Sequence, residues 1–158
     1  MTGTRGRNWL AAAMAAAVLI SCGCAGAAMG PAGQMPAPQP QPAQGSVTLC
    51  NRTPSSCTSG ASFSLATLRD LAINVDWSNV PAGTHTQTTE ILEPSGGLFE
   101  VKSQAFAIAD NSNGAAQTEE IVPVSGTMIT QRRLTGTWKV RVSLDTTMSA
   151  TQTVQIDP

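Results

Sequence analysis

Asp70-Leu71-Ala72-Ile73-Asn74-Val75-Asp76-Trp77 alternates strictly between polar or small and large apolar residues. In an extended chain successive side chains point to opposite faces. Leu71, Ile73, Val75 and Trp77 therefore share one face, and Asp70, Ala72, Asn74 and Asp76 share the other. Such a segment is a half-buried β-strand. The same period returns near the end of the chain. Trp138, Val140, Val142 and Leu144 alternate with Lys139, Arg141 and Ser143.

Further strands follow from the same reading. Phe63 and Leu65 mark one before the first quoted stretch, and Ala150 to Ile156 closes the chain with Val154 and Ile156 inward. Thr84 to Leu92 is threonine-rich and mostly polar, which predicts an edge strand. Leu98 to Ile108 changes phase between Val101 and Phe106, which predicts a bulge there. Glu119 to Ile129 contains Pro123 and Gly126, so it should lie at an edge or break. The runs are separated by turn residues. Val80-Pro81-Ala82-Gly83 and Glu93-Pro94-Ser95-Gly96 place proline second in a turn, Asn113-Gly114 suits a primed turn, and Leu134-Thr135-Gly136 leads into the last long strand. No segment after residue 46 keeps a helical period with caps. About seven short strands with regular turns predict an all-β fold, a single antiparallel β-sandwich.

Outside that domain the composition changes. Arg5 and Arg7 precede an unbroken apolar run from Trp9 to Ile20, the layout of a secretory signal. The run is shorter than the roughly 20 residues a spanning helix needs. Leu19-Ile20-Ser21-Cys22 resembles the lipobox of bacterial lipoproteins. That resemblance implies removal of residues 1–21, a diacylglyceryl thioether on Cys22, further acylation such as palmitate, and an envelope location. Cleavage after Ala25-Gly26-Ala27 is the alternative. Gly23, and not Asp, follows the cysteine, which favours the outer membrane in a cell that has one. Residues 22–45 form a proline-rich tether. Met35-Pro36-Ala37-Pro38-Gln39-Pro40-Gln41-Pro42 favours extended polyproline II. At about 3.1 Å per residue, some 23 residues hold a domain up to roughly 70 Å from the bilayer.

Residues 46–158 are long enough for one domain with a real core. Without Arg5 and Arg7 the chain keeps seven basic against ten acidic residues. A net charge near −3 argues against nucleic acid and against direct docking on anionic lipid. Arg132-Arg133 reads as a solvated turn. Cys50 and Cys57 are the natural disulfide pair once Cys22 is lipidated and Cys24 lies in the tether. A metal site needs more ligands, and the only histidine, His85, lies far from them in sequence.

The pattern from Trp77 through Pro81-Ala82-Gly83-Thr84-His85, then Glu93-Pro94-Ser95-Gly96-Gly97-Leu98-Phe99, then Gly136-Thr137-Trp138-Lys139-Val140-Arg141-Val142, resembles bacterial immunoglobulin-like and fibronectin-III-like envelope domains. It implies their sandwich fold and says almost nothing of function. Tyrosine is absent from the chain, so no tyrosine corner exists, and Cys50 with Cys57 is a local pair.

Residues with chemical capacity are few. His85 reads as an exposed edge histidine with no nucleophile elbow near it. Glu119-Glu120, and Glu90 with Glu93, read as solvated carboxylates rather than a glycosidase pair. Asp110-Asn111-Ser112-Asn113-Gly114 departs from a calcium loop, with glycine fifth and no closing glutamate. Trp77 and Trp138 fall on core phases, so no aromatic platform for sugar is expected. Phe99 and Phe106, beside the expected bulge, are the candidates for a small exposed patch. No cofactor is implied. The expectation is therefore a lipid-anchored, non-enzymatic module that meets another envelope protein, with Thr84, His85, Thr86 and Thr88 as the candidate interaction edge. The alternative is a periplasmic domain that captures a sugar, peptide or metal in end loops near Asp110 to Gly114 or Pro94 to Gly97.

Overall fold

The computed structural model describes Gln39, residues 41–110 and residues 112–158. The expected signal segment 1–21, the expected lipidation site Cys22 and most of the expected tether 22–45 lie outside the described residues. Nine strands and one helical turn follow in order: β1 (Gln44–Thr53), β2 (Ser56–Ser59), β3 (Ser62–Ser64), β4 (Asp70–Ser78), β5 (Gly83–Leu92), β6 (Leu98–Ile108), β7 (Ala116–Pro123), α1 (Met128–Gln131), β8 (Gly136–Leu144) and β9 (Thr147–Asp157).

The strands form two sheets, β2-β1-β4-β7 and β3-β9-β8-β5-β6. All pairings are antiparallel except β3 with β9, which is parallel. The chain crosses between sheets from β2 to β3, from β3 to β4, from β4 to β5, from β6 to β7 and from β7 to β8. This is the strand order of the immunoglobulin-type sandwich. There β1, β4 and β7 stand where A, B and E stand, and β5, β6, β8 and β9 occupy C, C′, F and G. The fold is thus the expected all-β sandwich. It carries two strands, β1 and β2, that the alternation did not mark. In β1 only Val47 and Leu49 face the core from an otherwise polar segment.

The inward faces meet as the period dictates. Leu71, Ile73, Val75 and Trp77 from β4 are buried against Trp138, Val140, Val142 and Leu144 from β8, with Val154 and Ile156 from β9. Ala72 is also fully buried, although it lies on the outer face of its sheet. It pairs with Cys50, whose disulfide to Cys57 staples the β1–β2 hairpin over that spot. Gly45 pairs with Trp77. A Cβ there would lie 2.9 Å from the indole ring, so only glycine lets the ring spread across the neighbouring strand.

The lower end of the sandwich is closed by α1. Thr127 caps it, accepting from the Ile129 amide through its hydroxyl at 3.3 Å. Ile129 is buried, and the Trp138 indole donates to the Leu134 carbonyl at 3.1 Å. This bond ties the α1 corner to β8 in a chain that has no tyrosine. β7 ends at Pro123, as expected, because proline cannot extend the ladder. Asn113 and Gly114 both have positive φ, 53° and 70°, the signature of the expected primed turn.

Candidate functional site

The strand expected at an edge is not there. β5 lies between β6 and β8. It pairs with β6 along its whole length and with β8 from Gln87 to Leu92. Its N-terminal half, on the β8 side, meets the β8–β9 turn. The Asp145 amide donates to the Thr86 carbonyl at 2.7 Å, and the Thr86 amide donates to the Asp145 carboxylate at 2.9 Å. Thr84, His85, Thr86 and Thr88 are therefore not a free edge. The threonine-rich composition misled because β5 is polar on both faces. Its solvent face carries Thr84, Thr86 and Thr88. Its inner face carries Gln87 and Thr89, both fully buried.

His85 is on that inner face, with its side chain only 12 % exposed. Nδ1 lies 3.0 Å from the Asp145 carboxylate and Nε2 lies 2.9 Å from the Pro81 carbonyl. Both partners are acceptors, so both ring nitrogens donate, which only the imidazolium does. The Asp145 hydrogen bond, and then the Pro81 carbonyl, raise the His85 pKa above its ordinary value. The Asp145 carboxyl is lowered, first by the Thr86 amide and then by His85. A histidine with both nitrogens committed is a clasp between the β4–β5 and β8–β9 turns. It is poorly placed to act as a general base.

Gln87 centres a polar cluster inside the sandwich. Its Oε1 accepts from the Trp77 indole at 2.9 Å and from the Thr118 hydroxyl. Its Nε2 donates to Thr89 at 3.3 Å and to Glu120 Oε1 at 3.2 Å. Glu120, expected in solvent, is only 6 % exposed. It sits on the inward phase of β7, one residue from Glu119, which stays outside and pairs with Arg52. Its second oxygen, Oε2, is buried with no hydrogen-bond partner. Burial raises the Glu120 carboxyl, against the lowering effects of Gln87, Thr89 and Lys102.

Among the described residues the edges are β2 and β7 in one sheet and β3 and β6 in the other. Of these, β6 is the longest. Its register against β5 runs without interruption from Glu100 to Ile108, and the irregularity falls at Phe99, opposite Ile91 and Leu92. The expected bulge between Val101 and Phe106 is thus displaced to the start of the strand. Phe99 and Phe106 do not form an exposed patch. Phe99 packs edge-on against Trp138 at 5.1 Å, and Phe106 stacks on Trp77 at 6.0 Å. The exposed large apolar residues on β6 are Leu98, at 62 %, and Val101, at 49 %. Residues Lys102, Ser103 and Gln104 of β6 line a groove with Glu119 to Ile121 of β7. The Lys102 ammonium reaches across it to the Ile121 carbonyl at 2.8 Å.

A cleft of about 750 Å³ opens at the lower end, lined among others by Leu65, Ser125, Thr130, Arg133 and Thr135. The Pro94 loop lies beside it: a Cβ on Gly136 would meet Pro94 at 2.9 Å. Among the described residues no three His, Cys, Asp or Glu side chains converge on a common point, and no helix is long and apolar enough to cross a membrane.

No known protein family and no curated protein matches the sequence. Solved structures align with the chain at low similarity. An immunoglobulin-like protein from Pseudomonas aeruginosa aligns with a TM-score of 0.44 at 13 % identity, over 73 % of this chain and 92 % of that one. The Pseudomonas fluorescens alkylpurine DNA glycosylase AlkC, bound to DNA containing an abasic site analog, aligns with a TM-score of 0.47 at 12 % identity, over 73 % of this chain and 30 % of its own. A β-glucosidase from Listeria innocua aligns with a TM-score of 0.44 at 12 % identity, over 73 % of this chain and 16 % of its own. The chain therefore spans less than a third of either enzyme. Likeness at this level bears on neither family nor activity.

Proposed function

We propose that this protein is a lipid-anchored, non-enzymatic envelope protein whose β-sandwich is a protein–protein interaction or structural module. In this reading lipid on Cys22 holds the chain at the membrane, outer-membrane placement being favoured, and the proline-rich segment sets the distance. The observation that carries the interaction role is the long edge of β6, paired among the described residues on one side only, with Leu98 and Val101 open to solvent. Unpaired strand edges are ready templates for β-strand addition. The expected edge thus moves from β5 to β6, and the mode of recognition stays the same.

The test has two arms. Radiolabelled fatty acid should enter the wild-type protein and not Cys22→Ala, which should leave the membrane fraction. A photo-crosslinking residue at Ser103, on β6, should yield protein adducts in intact cells, and the same residue at Thr88, in the middle of the sheet, should yield few. Absence of label on the wild type sinks the anchor, and equal yields at both positions sink the docking edge.

A second reading, ligand capture at the end loops, is favoured by the cleft beside α1. Arg133, exposed and held at a φ of 49°, is the one charged side chain among the described residues that line it, which suits a small anionic ligand. Thermal melting against a panel of small anions checks it, since specific binding raises the melting temperature by mass action.

A further inference from the structure

We infer that the free edge of β6 pairs with the same edge of a second copy of this chain, antiparallel, with Val101 opposite Val101. This rests on the reading of β6 as the docking edge and names its partner.

The backbone phase is set by β5. Thr86 turns its carbonyl and amide toward Asp145 on the β8 side, and the Thr88 carbonyl accepts from Ser143 on the same side. Alternate residues of a strand turn their amides to opposite sides. Gln87, Thr89 and Ile91 therefore face β6, where they pair with Gln104, Lys102 and Glu100. The residues between, Val101, Ser103, Ala105 and Ala107, turn their amides and carbonyls outward from the sheet. An antiparallel partner centred on Val101 meets a residue whose N–H and C=O both point at it, so two copies exchange both hydrogen bonds across a two-fold axis.

Side-chain charge selects that register. Glu100 and Lys102 flank Val101 symmetrically, and in one chain they lie 3.6 Å apart. With Val101 on the axis, Glu100 of each copy stands opposite Lys102 of the other, in the closer, non-hydrogen-bonded type of pair. The four groups then alternate in sign, and opposite charges placed directly across strands are favourable. The two exposed Val101 side chains cover one another on the outer face. A register centred on Ser103 would use more of the strand, but it sets Lys102 against Gln104 and Glu100 against Phe106, leaving all four charges without opposites. Within one copy Lys102 is an inward-pointing charge that guards the edge against indiscriminate strand addition. The same lysine admits a partner with a carboxylate at the facing position.

Sedimentation equilibrium of the detergent-solubilised full chain tests this. Wild type should show a reversible monomer–dimer equilibrium that weakens with salt. Glu100→Lys and Lys102→Glu should each weaken it by about tenfold or more, roughly the worth of 1.4 kcal/mol, and the double exchange E100K/K102E should restore it. Val101→Pro removes an outward N–H that β5 does not use. It should abolish the dimer and keep the wild-type β-sheet circular dichroism, which serves as the control if a charge variant misfolds. A wild-type chain that is monomeric at all concentrations overturns the inference, as does a dimer indifferent to Val101→Pro or a double exchange no better than the single changes. Heteromeric adducts from Ser103 together with a monomeric chain would overturn the second-copy pairing and leave the interaction module standing.

Discussion

Glu120 holds a carboxylate oxygen inside the sandwich with nothing to bond it. Because burial raises its pKa above the usual 4.5, the folded state holds a proton there more tightly than the unfolded chain. The stability it contributes is complete below the unfolded carboxyl value and is lost as pH rises through the folded one. Glu120→Gln should therefore melt at a higher temperature than wild type at pH 7, because the amide can keep the Gln87 hydrogen bond without placing a charge in the interior. It should also flatten the wild-type fall in stability above pH 4.5. Parallel thermal melts across roughly pH 4–8 at constant ionic strength would refute this if the two slopes coincided.

The His85–Asp145 clasp has the opposite-signed partner effects that make a window. The His85 pKa is raised above 6.5, so its contribution is full below that value and fades as pH rises through the folded value. The Asp145 pKa is lowered below 3.8, so its contribution is full above that value and fades as pH falls through the folded one. The clasp is thus strongest at mildly acidic pH. In His85→Gln the decline in stability on the alkaline side of 6.5 should disappear, while the Glu120 decline persists. Urea midpoints across the neutral range would show it, and an unchanged alkaline decline would remove His85 as its source.

At the level of elements, two devices hold the edges of the domain. The Cys50–Cys57 bridge closes a loop between residues seven apart and locks the β1–β2 hairpin over Ala72. Its chain-entropy benefit is about 2 kcal/mol, small because the loop is short. Cys50→Ala with Cys57→Ala should lower the unfolding free energy by that order, with hydrogen exchange rising first in β1 and β2. The α1 corner is the second device. Trp138 is buried at the centre of the core and bonds the Leu134 carbonyl, so Trp138→Ala should cost about 4 kcal/mol. Exchange of the α1 amides at the wild-type rate in that variant would show the corner to be independent of the indole.

Gly114 couples two turns in the same way. A Cβ there would lie 2.6 Å from the Val80 carbonyl oxygen, and its φ is 70°. The Val80 amide donates to its carbonyl at 3.0 Å. The Asn113-Gly114 signal was legible as a turn, but its packing against the β4–β5 connection was not, because those residues are distant in the chain.

For the whole molecule, alternation was a reliable guide wherever one face of a strand is apolar. β4, β8 and β9 are inward at the residues their period marks, and Trp77 and Trp138 are in the core. It failed where the inner face is polar. Gln87 and Thr89 on β5 and Thr118 and Glu120 on β7 form one hydrogen-bonded cluster between the two sheets, and each strand alone reads as solvent-exposed. Glu120 and the position of β5 were misplaced for that one reason. β1 and β2 went unmarked because so few of their residues face the core.

The local pattern of this chain was sufficient to determine the strands with one apolar face, the turns, the class of fold and the Cys50–Cys57 pair. These depend on neighbouring residues, whose spacing the sequence states directly. Which strand stands at an edge, which carboxylate is buried and what His85 clasps were decided by the tertiary structure alone. Each depends on what a distant segment places opposite a side chain, and period and composition carry no record of that.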